Sequence, residues 1–217
     1  MTTHICFHGI GVCADERESG EARYWMAEDT FLRTLDALAD RSDVELSFDD
    51  GNRSDLDIAL PALTERGLRA TFFVLAGRLD DPASLNAHDL RSLVAAGMSI
   101  GNHGWTHTPW RALDDAAARR ELFDARNAIQ EASGTTPTEA ALPLGRYDRN
   151  TVRRVRAAGY RVLYTSDRYR SRPGAWMRAR YSVTEHDTAE SVSALVTRRS
   201  GASEARNAAA SLVKRLR

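Results

Sequence analysis

The sequence predicts an α/β protein folded as a deformed parallel (β/α) barrel of about seven strands. Strand-like apolar runs alternate with helical patterns along almost the whole chain, which is the signature of βα units and a parallel sheet. Several helical patterns stop at a glycine, at Gly67, Gly97, Gly134 and Gly159. The residues with chemical potential, Asp49-Asp50, His103, Gly145 and Asp167, each fall just after a strand-like run, where parallel barrels carry their active sites.

Taken in order, His4 to His8 reads as a strand ending at Gly9. Residues 28–40 place Phe31, Leu32, Leu35 and Leu38 on one helical face. Val44 to Phe48 is a strand, Asp55 to Arg66 a helix, and Ala70 to Leu75 a buried strand. Asp89 to Ala96 is a helix, Met98 to Asn102 a short strand, and Leu113 to Ala132 one long helix. Ala140 to Leu144 is strand-like, Arg149 to Ala158 helical, Arg161 to Thr165 a strand, and Tyr181 to Thr184 a last strand. From about residue 187 the pattern is a helical tail, with Ala189 to Thr197 and Glu204 to Arg217 helical and the basic end read as solvated. A single catalytic domain over 1–217 is expected, since no linker, repeat or low-complexity stretch divides the chain.

Lys+Arg and Asp+Glu both number 30, so no net field favours nucleic acid or an anionic membrane as partner. No run approaches a membrane span, and the N-terminus lacks a basic leader region; a cytoplasmic location is expected. Cys6 and Cys13 are read as free thiols, Cys6 inside a buried strand.

The chemistry concentrates in Ser47-Phe48-Asp49-Asp50-Gly51 and His103-Gly104-Trp105-Thr106-His107. One carboxylate and two imidazoles make a three-ligand site for a divalent metal, with a position left for water. Adjacent residues of an extended strand point to opposite faces, so one aspartate ligates and the other faces the water as a base. The four-residue spacing of the histidines places both rings on one side of a helical turn. Such parts suit hydrolysis, because a bound metal lowers the pKa of its water from 15.7 to about 7.

At these residues the chain resembles the NodB-type polysaccharide deacetylases, carbohydrate esterase family four. Ser47 to Gly51 matches the first motif, His103 and His107 the second, and Pro143-Leu144-Gly145-Arg146-Tyr147 the third. Ala70 to Val74 matches the strand between the first two. The resemblance covers roughly Ile5 to Asp167. It implies a metal-dependent hydrolase acting on carbon–nitrogen bonds other than peptide bonds, which removes N- or O-acetyl groups from an acetylated carbohydrate or glycoconjugate precursor. It implies Asp50, His103 and His107 as ligands of a divalent metal, usually Zn²⁺, and Asp49 as base. Pro143, Gly145, Tyr147 and Trp105 are expected at the substrate.

Two positions depart from the family pattern. Ala141 stands where an arginine orients the base, leaving Arg146, Arg168 and Arg180 as replacements. The late Leu-x-His motif, source of the acid, has only Thr184-Glu185-His186 as counterpart, so the acid is His186 or His8. An amidase for cyclic amides or imides and a metal-retaining glycan binder remain as alternative readings.

Overall fold

The computed structural model describes all residues, 1–217. Its centre is a closed, entirely parallel barrel of seven strands. These are β1 (Thr3–Phe7), β4 (Val44–Asp50), β5 (Ala70–Val74), β6 (Ser99–Asn102), β7 (Glu139–Ala141), β8 (Val162–Thr165) and β9 (Met177–Ser182), in that order around the ring. β1 closes the ring between β4 and β9. A short ribbon, β2 (Gly9–Ile10) with β3 (Trp25–Met26), lies outside the barrel and frames a long loop between them. Sequence periodicity does not announce strands this short.

The helices cover the barrel. They are α1 (Glu28–Leu38), α2 (Leu60–Glu65), α3 (Ala87–Ala95), α4 (Asp115–Arg119), α5 (Ala125–Ser133), α6 (Arg149–Ala157), α7 (Ala189–Thr197) and α8 (Ala202–Leu216). Local chemistry sets their starts. Asn86 and Asp89 form a capping box on α3, Thr188 and Ser191 another on α7, and the Asp148 carboxylate accepts from Thr151 N at 2.8 Å. The expected long helix over 113–132 begins later and is interrupted. A π-turn at Arg120–Asp124 joins α4 to α5, and another at Asp55–Ala59 leads into α2.

Three apolar regions result, one of them a cluster of ten buried residues that includes Trp110, Leu122, Val155, Tyr160 and Leu163. The largest, with Phe7, Phe31, Leu35, Phe48 and Phe72, packs the barrel wall against α1–α3 and α7. Inside the barrel a small cluster of Phe73, Ala141, Val162 and Tyr164 surrounds the Arg180 guanidinium, which lies 5.2 Å over Phe73 and 5.6 Å over Tyr164. Gly101 makes room there: a Cβ would come within 2.3 Å of the Phe73 ring. No helix is long and apolar enough to cross a membrane. Lys214 is not merely solvated: its Nζ donates to the buried Asp167 carboxylate at 2.5 Å, clipping α8 to the barrel mouth.

Candidate active site

At the C-terminal mouth of the barrel a cavity of about 480 Å³ opens, and Asp49, Asp50, His103 and His107 stand together in its wall. Strict alternation along β4 would part the two carboxylates. Asp50 instead adopts φ 76°, a left-handed conformation that turns its side chain back. His103 Nε2 then lies 3.7 Å from Asp49 Oδ2 and 3.5 Å from Asp50 Oδ1. His107 Nε2 is 3.4 Å from the same Asp50 oxygen.

The two histidines do not share a helical turn. They belong to an irregular loop with Gly104 at φ 95° and His107 at φ 57°. Glu121, buried in the π-turn, shapes this loop by accepting from Trp105 N at 2.6 Å and Thr106 Oγ1 at 2.8 Å. Its carboxylate fills the space a Cβ on Gly104 would need, 2.3 Å away. Asn102 Oδ1 accepts from Gly104 N at 2.9 Å. Neither Glu121 nor Asn102 carries a motif signature, and only the π-turn brings Glu121 to the loop.

Asp50, His103 and His107 fit a metal ion. Their donor atoms lie within 4.8 Å of one another. His103 Nδ1 bonds the Ala141 carbonyl at 2.9 Å and His107 Nδ1 the Glu18 carboxylate at 2.6 Å, so each ring offers Nε2 inward. Asp50 Oδ1, which both Nε2 atoms face, is buried without a hydrogen-bond partner. Burial lowers the His103 pKa to about 4 despite the pull of Asp49 and Asp50, so its ring is neutral and competent to ligate at neutral pH.

Asp49 has a different partner. Arg180 Nη1 and Nη2 donate to its two oxygens, both at 2.6 Å, and Nη1 also donates to Ser47 Oγ at 3.1 Å. Burial opposes the Asp49 charge, but the guanidinium holds its carboxyl well below the usual range. Of the three arginines considered for the place left by Ala141, Arg180 reaches the base. It arrives from β9, and Ala141 is fully buried in the ring cluster beside it.

His8 follows β1, lines the cavity and lies with its ring tilted 33° to that of Tyr24 at 4.8 Å, with its Nδ1 buried and unbonded. Its ligating atoms fall within 4.8 Å of those of Cys6 and Asp49. His186 does not reach the site: its side chain is 81% exposed, 3.7 Å from Glu185.

None of the four residues expected to meet substrate lines the cavity. Tyr147 is buried and donates its hydroxyl to Asp167 at 2.6 Å, part of the clip that holds α8. Trp105 packs beneath Arg120, 5.1 Å away, and Pro143 is buried. Gly145 N donates to the Leu142 carbonyl at 3.2 Å and is not free for an oxyanion. Their neighbours Leu142, Leu144 and Arg146 form the wall instead. Four of the five non-glycine residues with positive φ, Asp50, His107, Leu144 and Arg168, lie in this wall. Strain of about 1–3 kcal/mol each concentrates where function is expected.

A closed parallel barrel with this carboxylate pair and histidine pair at its mouth is of the NodB type. The profile of the polysaccharide deacetylase family matches residues 38–163, more than half of the chain. The chain belongs to the polysaccharide deacetylase family. It is 32% identical over 142 residues to a chitooligosaccharide deacetylase of Rhizobium leguminosarum bv. trifolii, covering 64% of each. It is 31% identical over 103 residues to the peptidoglycan-N-acetylmuramic acid deacetylase PdaC of Bacillus subtilis, covering 47% of this chain and 21% of that one. The chain thus spans less than two thirds of the length of these curated relatives. Its fold is that of the Streptococcus pyogenes deacetylase PplD, solved in complex with acetate, with TM-score 0.78, 18% identity, and 88% and 96% of the two chains covered.

Proposed function

We propose that this protein is a metal-dependent hydrolase that removes N-acetyl or O-acetyl groups from an acetylated sugar, with Zn²⁺ as its metal. The observation that carries the reading is the convergence of two independently oriented sets. Asp50, His103 and His107 turn unspent donor atoms inward, and beside them Arg180 fixes Asp49. Two imidazoles and a carboxylate suit zinc.

A divalent cation held by the triad supplies Lewis acidity, which acidifies the attacking water and polarises the acyl oxygen. The protein's own groups do the rest. Asp49 accepts the water's proton, its two-point bond to Arg180 fixing which lone pair points into the cavity. Arg180 also keeps Asp49 ionised across neutral pH. The amide carbon–nitrogen bond breaks when the leaving nitrogen takes a proton. In this reading His8 gives it, supported by its position at the cavity wall beside the base and its unbonded ring nitrogen.

The amidase alternative rests on two departures, the absent orienting arginine and the weak acid motif; Arg180 fills the first role from another strand, while His186 lies outside the site. A glycan binder has no use for a clamped base. The test is acetate release from N-acetylated chito-oligosaccharides by the zinc-loaded protein, with Asp49→Asn and His8→Gln alongside. Release is expected from the wild type, with a fall of about 10²–10⁴-fold in Asp49→Asn. No release from any acetylated sugar would refute the reading.

A further inference from the structure

We infer that the sugar this cavity takes is anionic, carrying a carboxylate or phosphate near the acetylated unit; the inference rests on the deacetylase reading for the acetyl group alone. Every carboxylate in the cavity wall is already engaged. Glu18 bonds His107 and Arg78, Glu21 bonds Arg17, Asp49 bonds Arg180, and Asp50 belongs to the ligand triad. Of the four arginines in the wall only Arg78 is matched by one of them. Arg23, Arg146 and Arg168 have no carboxylate partner. They come from three separate segments: the loop before β3, the turn after β7, and the β8–β9 connection. The wall holds four arginines and four carboxylates, so what distinguishes it is three guanidiniums left unmatched, in a chain whose 30 cationic and 30 acidic residues balance overall.

The backbone supports the placement. Arg168 holds φ 57°, donates its N–H to the Arg180 carbonyl at 3.1 Å, and donates Nη1 to the Ser182 carbonyl at 2.9 Å. The remaining guanidinium N–H groups make no hydrogen bond within the protein, the residue is exposed, and its head lies 5.6 Å over the Tyr181 ring. Arg146 follows Leu144 and Gly145, at φ 54° and 62°. A guanidinium is a planar fork of donors that fits carboxylate and phosphate oxygens. The wall is otherwise poor in what a neutral sugar face stacks on. Only three of its nineteen residues are hydrophobic, with Tyr24 the one aromatic apart from the histidines.

The test compares four sugars on the zinc-loaded full chain: GlcNAc, GlcNAc 6-phosphate, neutral diacetylchitobiose, and a glucuronate–GlcNAc disaccharide. Where a sugar is turned over, kcat/KM is measured; where it is not, calorimetry gives Kd. At least one anion should be preferred over its neutral match by about tenfold, the upper range for two exposed charge pairs acting together. The phosphate and carboxylate arms show which oxyanion is recognised. The preference should collapse in an R146Q/R168Q double variant and shrink at high salt. Acetate release without any anionic preference overturns this inference and leaves the deacetylase reading standing. Anion preference without any acetate release does the reverse. Failure of both anions to bind or react better than their neutral matches overturns it whatever the activity.

Discussion

Replacing Arg180 tests the central claim about the base. Arg180 is fully buried and Asp49 is buried but for its edge on the cavity, and their two contacts are each 2.6 Å. Arg180→Gln leaves a carboxylate buried without its counter-ion, a change that typically costs about 3–5 kcal/mol. Two measurements separate stability from chemistry. Urea unfolding of the metal-loaded variant should show that loss. The pH profile of kcat/KM should shift independently: without Arg180, burial dominates, the Asp49 pKa rises, and the acid limb moves to higher pH. Arg180→Lys keeps the charge but not the two-point geometry, so it should recover stability in part while kcat stays low. A folded Arg180→Gln with wild-type kcat and an unmoved acid limb would show that Asp49 is not the base, or that Arg180 does not orient it.

Glu18→Ala removes the acceptor that fixes the His107 ring, so zinc affinity by competition with a chromophoric chelator should fall about 10–100-fold, with Glu18→Gln in between; unchanged affinity would release the loop from any role at the site. The His103 pKa in the folded chain, about 4, lies below its ordinary 6.5, so the folded state binds the proton less readily than the unfolded one. Stability of the metal-free protein is therefore full above about 6.5 and falls as pH drops towards 4, by roughly 3 kcal/mol at about 1.4 kcal/mol per unit; the depressed Asp49 pKa extends the loss to lower pH. His103→Gln should flatten the first part of that fall in a thermal melt series. Asp55 is the opposite case: it is buried, neither carboxylate oxygen has a partner, and burial with Asp50 and Asp49 nearby pushes its pKa well above the usual range. Its contribution is full below about 3.8 and is lost as pH rises. Asp55→Asn should raise Tm at pH 8 and leave it unchanged near pH 3, and equal melting at both would show the carboxyl has a partner.

The barrel was legible because its strands are apolar runs separated by helices that end at glycine. The ligand triad was legible because Asp50, His103 and His107 keep a local spacing. What escaped depended on backbone conformation or on distance in sequence. Alternation along β4 predicts opposed aspartates, but a single left-handed residue at Asp50 overrides it. Arg180 was one of three arginines with nothing in sequence to rank them, since its contact with Asp49 joins residues 131 apart. Tyr147 and Trp105 have packing partners that no spacing announces, Tyr147 in Asp167 and Trp105 in Arg120. Glu18 and Glu121 had no pattern around them at all. They act through hydrogen bonds spanning 89 and 16 residues.

The Arg180 head sits inside the closed ring, against rings contributed by β5 and β8. Every strand of a small barrel borders the same axis, so a long side chain can deliver its charge to that axis from more than one strand. The same place in space can therefore be reached from different strands, provided the position that does not reach it is small, and Ala141 is small and fully buried. A chain judged by motif letters alone would be counted as having lost its orienting arginine and set aside as inert. In this fold, the question to ask of a missing residue is which other strand now reaches the axis.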